Sequence, residues 1–334
     1  MSPSNEREPI TVSVVVPVWN GATTLGACLQ ALGNQTVDPA GFEVIVVDDG
    51  SQDNSAEVAT RCGAKVLRQQ HAGAAAARNL GAQHAQGDLL LFTDADCEPF
   101  PDWMERMVKP FSDPQVAGVK GSYRTRQKAL VARFTQAEYM EKYAHMRRQD
   151  RIDFVDTYAA AYRRRIFLGQ AGFDPTFLLD EDQEFSFRLS QAGFRLVFAP
   201  EARVYHLHPD NAWRYARRKV GIGTWKVRVH LRHPHKAFRD SYSPWTQKAQ
   251  LLLLPLLFIF GAASAAGWIP WFPFQILFAL GLLSSLPLMA QAARQGIGVL
   301  IISPALIVLR ALALDTGLIL GFCKLFRSRK GKEI

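Results

Sequence analysis

The strongest constraint on this chain is a long, charge-poor apolar stretch toward its C-terminus. Within residues 241–323, four side chains carry a charge, namely Lys248, Arg294, Arg310 and Asp315. So little charge over such a length is typical of membrane-spanning helices and not of a soluble core. Three segments approach the ~20 residues that a helix needs to cross a bilayer, namely residues 249–267, 272–290 and 297–323. The sequence therefore predicts a transmembrane region at 249–323, with two or three helices.

Basic residues flank this apolar region on both sides, in a chain of net charge +9. Residues 203–239 contain ten Lys and Arg against a single acid, and residues 324–332 add five more. Flanks of this kind are typical of the cytoplasmic face of an anionic membrane. We therefore expect membrane lipids as partners and no nucleic acid, because no recognisable nucleic-acid-binding module accompanies the charge.

The same flanks constrain the topology. Basic residues at both ends of the apolar region favour both ends on the inside, which requires an even number of crossings. One of three segments would then lie in the interface or re-enter the membrane, and Pro304, Arg310 and Asp315 point to the third. Residues 211–248 are predicted to form a basic amphipathic segment at the membrane surface, and residues 324–334 a basic cytoplasmic tail.

The rest of the chain is expected to lie in the cytoplasm. Residues 1–10 are polar, contain no signal peptide and are predicted to be flexible. The four cysteines are far apart and form no CxxC pair, which argues against a zinc ribbon or a disulfide scaffold and fits a reducing compartment. We therefore expect the protein in the cytoplasmic membrane, with its catalytic domain facing the cytoplasm.

Residues 11–210 are predicted to form one catalytic domain of the α/β class. Apolar and β-branched runs at residues 11–18, 43–47, 65–68 and 88–92 indicate strands, and helical segments separate them. Strands and helices that alternate in this way form a mostly parallel, Rossmann-like sheet with helices on both faces. Ligands bind to such sheets beyond the carboxyl ends of the strands.

Acidic residues at one of these strand ends predict a metal site. Asp94 and Asp96 are two positions apart, directly after a buried run, so that both carboxylates can point to one side. They can share one Mg²⁺ or Mn²⁺ ion with the oxygens of a diphosphate, although a solvated turn is the alternative. The sequence contains neither GxGxxG nor GxxxxGK[ST]. A bound diphosphate would therefore depend on a metal and side chains, which favours the metal site.

Four further residues are candidates for binding a nucleotide. Pro17 and Asn20 lie in the loop after the first predicted strand. Asp49 can accept hydrogen bonds from a base or a ribose, although a helix-entry turn accounts for its position equally well. Arg78 precedes the strand that ends near Asp94 and is a candidate contact to the phosphates or the nucleotide, with a solvated helical position as the alternative.

An acidic cluster at residues 180–184 offers a general base. Crowded carboxylates raise one another's pKa, and one of them could take a proton from an acceptor hydroxyl. The alternative is an acidic helix N-terminus that the helix dipole stabilises. His206 could complete the shell of a metal beside two carboxylates, and the alternative is a structural histidine.

In order and spacing, these motifs resemble the family 2 glycosyltransferases of the GT-A fold. The matching segments are VSVVVPVWNG at 12–21, EVIVVDDGSQDNS at 43–55, AARNLGAQHAQGDLLLFTDADC at 76–97 and AGFDPTFLLDEDQEFSFRLSQAGFRLVFAPEARVYH at 171–206. The resemblance implies transfer of a sugar from a nucleotide-sugar, with UDP as the usual base, and inversion of the anomeric centre. It also implies that Asp49 contacts the nucleobase, with Asn20 near the same pocket.

The resemblance also implies roles for the residues near the diphosphate, the metal and the acceptor. Asp94 would contact the nucleoside, and Asp96 would contact the metal and the diphosphate. The pair Glu181-Asp182 matches the family's ED motif, in which the Asp is the catalytic base and Glu181 a possible supporting acid. His206 matches a histidine near the metal. The QxxRW motif of the processive members is absent, so we expect transfer of a single sugar.

The sequence constrains the acceptor less than the donor, and two alternatives to this function remain to be weighed. The membrane anchor and the basic surface suggest a lipid-linked or glycan acceptor. A nucleotidyltransferase of similar fold is one alternative, but the expected Gly-rich phosphate loop is absent near the first strand. A non-catalytic membrane adaptor with a degenerate domain is another, and an intact set of acidic motif residues argues against it.

Overall fold

The computed structural model describes residues 12–237 and 239–330. The predicted flexible N-terminus at 1–10 and the last residues of the predicted basic tail lie outside these ranges. The chain forms two compact units. Among the described residues, the sheet unit comprises 12–124 and 151–206, and the helical unit comprises 125–150, 207–237 and 239–330. The predicted catalytic range of 11–210 therefore includes residues of both units.

Strands and helices alternate through the sheet unit, as the sequence predicts. Its strands, among the described residues, are β1 (Val12–Val18), β2 (Phe42–Asp48), β3 (Lys65–Arg68), β4 (Leu89–Phe92), β5 (Cys97–Pro99), β6 (Val116–Arg124), β7 (Ala160–Arg163) and β8 (Arg195–His206). The α-helices of the described chain are α1 (Ala22–Gly33), α2 (Ser55–Arg61), α3 (Ala74–His84), α4 (Trp103–Val108), α5 (Leu130–Met146), α6 (Arg164–Gly169), α7 (Glu181–Gln191), α8 (Ala212–Arg232), α9 (Trp245–Ala265), α10 (Phe272–Gln295) and α11 (Ile297–Lys330).

The strands form one sheet in the order β3-β2-β1-β4-β7-β6-β8-β5. The first four neighbours are parallel, and β6 is parallel to β8. β7 is antiparallel to both of its neighbours, and β5 is antiparallel to β8. All seven residues of β1 are buried, because a strand in the middle of a covered sheet must be apolar on both faces. The predicted mostly parallel sheet with flanking helices is confirmed.

The helical unit is built from α5 and α8 to α11. α8 continues through Gly221 and Gly223 and packs closely along α11. The α-carbon of Gly317 on α11 lies against α8, and a methyl group there would overlap the carbonyl oxygen of Val220. Small residues allow two helix backbones to approach this closely.

A buried charged cluster joins three helices of the same unit. Glu138 on α5 lies 2.9 Å from Lys219 on α8 and 3.0 Å from Arg310 on α11. Burial alone would raise the pKa of Glu138, but these two cations lower it to about 2. Arg310, which the sequence marks as unusual within an apolar segment, is therefore neutralised inside the protein.

Three described helices are long and apolar enough to cross a membrane, namely α9, α10 and the part of α11 at Ile297–Leu325. They differ in how far the protein covers them. In the most apolar 18 residues of each helix, 11% are buried in α9 and 17% in α10, but 44% are buried in α11. The surfaces of α9 and α10 therefore resemble lipid-facing helices, whereas neighbouring helices cover much of α11.

Candidate active site

A cavity of about 360 Å³ opens at the carboxyl ends of β1, β2 and β4. The residues that line it include five that the sequence singles out, namely Pro17, Asp49, Arg78, Asp94 and Asp96. Asn20 lies exposed in the loop after β1, where its side-chain oxygen accepts a hydrogen bond from the backbone N–H of Gln52 at 2.8 Å. Residues that are far apart in sequence thus meet where a parallel sheet places ligands.

The carboxylate of Asp49 is buried and held by the loop that follows β3. It accepts hydrogen bonds from the backbone N–H groups of Ala72 and Gly73 at 2.8 and 2.9 Å, and from the side chain of Gln69 at 2.6 Å. The Nδ1 atom of His71 lies 2.9 Å from the same carboxylate. Asp49 therefore fixes one wall of the cavity, and most of its accepting capacity is used by the protein.

Two stacked rings on the wall of the cavity are missing from the sequence-based prediction. The rings of Trp19 and His71 lie 4.4 Å apart between centroids, with an angle of 25° between their planes. Trp19 is 55% exposed, although it is a large aromatic side chain. Such a ring pair offers a face on which a nucleobase can stack. The only local signal is Trp19 itself, directly before Asn20, because His71 comes from another loop.

Arg78 joins the two acidic motifs that the sequence identifies separately. Its Nη2 atom lies 2.6 Å from Asp94, and its Nη1 atom lies 2.7 Å from Glu181. Burial alone would lower the pKa of Arg78, but both carboxylates raise it above its ordinary value. The guanidinium is thus a buried cation that connects α3, the loop after β4 and the first turn of α7.

Asp182 follows Glu181 at the start of α7 and has a different environment. Its side chain accepts a hydrogen bond from the backbone N–H of Gln183 at 2.7 Å. Burial raises the pKa of Asp182 well above its ordinary value, and the negative charges of Glu181 and Asp156 raise it further. Since Arg78 stabilises the negative charge of Glu181, Asp182 is the carboxyl group of the pair that binds a proton more readily. The first turn of α7 is acidic, as one of the two sequence-based alternatives describes, and Asp182 remains a candidate for the general base.

The two residues predicted as metal ligands lie close together. The carboxylate of Asp96 is 3.9 Å from Nε2 of His206. Cys97 pairs with His206 across β5 and β8, and donor atoms of Asp96, Cys97 and His206 all lie within 4.8 Å of one another. Burial, followed by the charge of Asp96, raises the pKa of the Cys97 thiol well above its ordinary value. Hard cations prefer oxygen ligands, so the Asp96 carboxylate fits Mg²⁺ or Mn²⁺ better than the protonated Cys97 thiol does, and His206 offers a ring nitrogen beside it.

Comparison with known proteins identifies a family model that matches part of the chain. Residues 13–169 match the model of glycosyl transferase family 2. Glycosyltransferase AglE of Haloferax volcanii is 28% identical over 228 residues, which are 65% of this chain and 73% of that protein. The pre-mycofactocin glycosyltransferase of Mycobacterium tuberculosis is 32% identical over 235 residues, which are 67% of this chain but only 48% of that protein.

A solved structure supports the same fold. The mannosyltransferase PcManGT from Pyrobaculum calidifontis, in complex with GDP-Man and Mn²⁺, has a TM-score of 0.64 and 23% sequence identity. The likeness covers 91% of this chain and 88% of that one. The sheet order and the helices on both faces are those of the GT-A fold. Residues 13–169 therefore match glycosyl transferase family 2, the fold is of the GT-A type, and the enzyme class is glycosyl transfer.

Proposed function

We propose that the protein transfers a single sugar from a nucleotide-sugar, with UDP as the first candidate base, to a lipid-linked or glycan acceptor at the cytoplasmic membrane. One observation carries the proposal. Asp49, Asp94 and Asp96 line one cavity of about 360 Å³, and Arg78 in the same lining forms an ion pair with Glu181, the residue before Asp182. A donor-binding wall and a candidate base are thus connected by one buried cation.

The donor is proposed to bind with its nucleoside between Asp49 and the Trp19–His71 rings. The stacked rings supply a flat surface, and Asp49 holds the loop that carries His71 in place. Asp94 is proposed to face the nucleoside, as the family resemblance implies, with Pro17 near the end of β1 and Asn20 on the loop after it. Arg78 is proposed to act chiefly as a positioning residue, because both of its terminal nitrogens already donate hydrogen bonds to carboxylates of the protein.

A divalent cation is proposed to bind at Asp96 and His206. The Asp96 carboxylate supplies the oxygen ligand that suits Mg²⁺ or Mn²⁺, and Nε2 of His206 lies 3.9 Å away as a second candidate ligand. When bound, such an ion neutralises the charge that develops on the departing diphosphate. The structurally similar mannosyltransferase holds GDP-Man and Mn²⁺ in one complex, which supports a metal with a nucleotide-sugar here.

Asp182 is proposed to be the catalytic base. Its carboxylate takes the proton of an acceptor hydroxyl, whose oxygen attacks C1 of the sugar. The bond between C1 and the diphosphate oxygen breaks, and the nucleoside diphosphate leaves with the electron pair. A raised pKa strengthens Asp182 as a base, and a one-step displacement inverts the configuration at C1.

The topology is proposed to have two crossings, made by α9 and α10. Their apolar residues are mostly uncovered, whereas α11 is nearly half buried and contains Arg310 in an ion pair with Glu138. Two crossings place both basic flanks of the apolar region, residues 203–239 and 324–332, on the same side of the membrane. The side that fits basic residues is the cytoplasmic face, where the catalytic domain would lie.

The function is tested with purified full-length protein, Mn²⁺ and a panel of UDP-, GDP- and dTDP-sugars. We expect release of a nucleoside diphosphate with one of them, and loss of release in Asp96→Ala. Asp88→Ala is the matched control, because Asp88 is exposed and precedes the amino end of β4, away from the cavity. Release of pyrophosphate would indicate a nucleotidyltransferase, and turnover unchanged in Asp96→Ala would refute the proposed site. No turnover with any donor would favour the adaptor alternative.

A further inference from the structure

The helical unit contains a second cavity, of about 230 Å³, between α8, α9 and α11. Its lining has two chemical characters. The ionisable groups come from α8, the segment after it and the first turn of α9, namely Lys226, His230, Asp240 and Lys248. The apolar side chains come from the next turn of α9 and from α11, namely Leu251, Leu252, Leu314 and Leu318.

The ionisable part of this cavity carries an excess of positive charge. The ammonium group of Lys248 lies 2.7 Å from the carboxylate of Asp240. Burial alone would raise the pKa of Asp240, but Lys226 and Lys248 lower it. Burial, assisted by Lys226, lowers the pKa of His230 to about 4, so this ring is neutral at pH 7. Two ammonium groups against one carboxylate leave one positive charge, which favours an anionic ligand.

The apolar part of the cavity belongs to helices with the hydropathy of membrane spans. Leu251 and Leu252 follow Lys248 by one helical turn, and Leu252 is 65% exposed on the outer surface of α9. A free anion gains nothing from leucine walls, and a purely apolar ligand gains nothing from two lysines. A ligand that carries an anionic group on an apolar chain satisfies both parts.

The size of the cavity limits which part of such a ligand it holds. A volume of about 230 Å³ is below the range of roughly 300–1,000 Å³ that is common for whole small-molecule ligands. It suits one phosphate and the first carbons of a chain. The rest of the chain would lie along the exposed apolar surface of α9, where a bilayer supplies its surroundings.

We propose that this cavity binds the phosphate and first carbons of the lipid that carries the acceptor. The proposal rests on the proposed function for the identity of the ligand, but the site itself is defined by the helical unit alone. Lys226 and Lys248 contact the phosphate, and the four leucines contact the chain.

The proposal is tested by binding of farnesyl phosphate to the full-length protein in detergent, without any donor. We expect farnesyl phosphate to bind, and farnesol to bind about tenfold more weakly or worse, since the charged contacts are lost. Lys226→Met should weaken binding of farnesyl phosphate about tenfold or more. Lys128→Met, an identical change at an exposed position of the same unit, should leave binding unchanged.

Competition identifies the class of lipid. Inorganic phosphate at the same concentration should not displace farnesyl phosphate, because it lacks the chain. Phosphatidylglycerol should displace it poorly, because it is a diester with two chains. Equal binding of farnesol, or full displacement by phosphatidylglycerol or by inorganic phosphate, would overturn the proposal.

Photocrosslinking of the wild-type protein tests the proposal even if Lys226→Met fails to fold. A farnesyl phosphate analogue with a photoreactive group on its chain should crosslink to α9 or α11 near Leu252 and Leu314. Crosslinks confined to other segments would overturn the proposal. Binding that depends on Lys226 in a protein without transferase activity would retain the site and reject the proposed function. Transfer to a lipid acceptor with an unchanged KM in Lys226→Met would retain the proposed function and reject the site.

Discussion

At the scale of single residues, the neighbouring carboxyl groups of Glu181 and Asp182 lie in different electrostatic environments. Glu181 lies 2.7 Å from Arg78, which favours its charged form, whereas burial and nearby negative charges raise the pKa of Asp182 well above its ordinary value. Replacing Asp182 by Asn removes the base but keeps the size of the side chain. We expect Asp182→Asn to lower kcat about 10²- to 10⁴-fold, the usual contribution of a general base.

Donor binding distinguishes this loss from misfolding. Asp182→Asn should keep the thermal stabilisation by the donor, and Asp88→Asn, at an exposed position before β4, should keep full activity. If Asp182→Asn lowers kcat by less than about tenfold, the acceptor needs no base. That result is expected of an acceptor that attacks through an ionised phosphate oxygen instead of a hydroxyl group.

The raised pKa of Asp182 also predicts a pH dependence. The reaction needs the carboxylate form, so kcat/KM should increase with pH as Asp182 loses its proton. Since burial and nearby charges raise this pKa, the acidic limb should lie above 3.8, the ordinary value for Asp. A pH–rate profile of the wild-type protein measures the midpoint of the limb. A midpoint at or below 3.8 would contradict the role of burial.

At the scale of structural elements, Arg78 holds three of them together. It pairs with Asp94 after β4 and with Glu181 on α7, and its side chain is only 4% exposed. Arg78→Met would leave the buried carboxylate of Glu181 and the partly buried carboxylate of Asp94 without their cation. We expect a loss of about 3–5 kcal/mol in the free energy of unfolding, the usual effect of removing one partner from a buried pair.

An exposed ion pair provides the comparison for Arg78. Arg106 lies 3.2 Å from Asp102 within one helical turn, and its side chain is 43% exposed. Arg106→Met should change the stability by less than about 1 kcal/mol. Denaturant unfolding of both variants in the same detergent measures the difference. Equal losses would show that the buried pairs of Arg78 contribute no more than a surface pair does.

Glycines in the apolar helices make a second prediction at this scale. A methyl group at Gly317 would overlap the carbonyl oxygen of Val220 on α8, whereas the nearest atom to one at Gly281 on α10 is 3.8 Å away. Gly317→Ala should therefore destabilise the helical unit by about 1–3 kcal/mol through overpacking. Gly281→Ala should be neutral or slightly stabilising, because Ala is the better helix former. Thermal unfolding in detergent compares the two, and equal melting temperatures would contradict the close packing of α8 and α11.

Elements that follow local patterns could be predicted from the sequence, and pairings over long distances could not. The runs at β1, β2 and β4 predict their strands, and the polar residues after them predict the edge of the sheet that carries the cavity. The partner of Arg78 on α7 lies 103 residues away, so no local pattern identifies it. β6 is absent from the prediction, because Lys120 in its middle is a charged residue in the sequence although its side chain is buried in the structure.

At the scale of the whole molecule, burial separates helices that composition alone makes alike. The sequence predicts three apolar segments, and all three are helices. Their hydropathies do not reveal that α11 is covered by neighbours over nearly half of its most apolar part. That coverage depends on α5 and α8, and Glu138 on α5 pairs with both Arg310 on α11 and Lys219 on α8 across long sequence distances. The number of crossings is thus a property of packing as well as of composition.

The cysteines allow the number of crossings to be measured. Cys62 and Cys323 are exposed, whereas Cys28 and Cys97 are buried. With two crossings, a membrane-impermeant maleimide should label single-exposed-cysteine variants at Cys62 and at Cys323 from the same face, in inside-out but not in right-side-out vesicles. Ala266→Cys, in the turn between α9 and α10 and without the other exposed cysteines, should label from the opposite face. Because a third crossing by α11 would move Cys323 away from Cys62, labelling of these two cysteines from opposite faces would mean three spans.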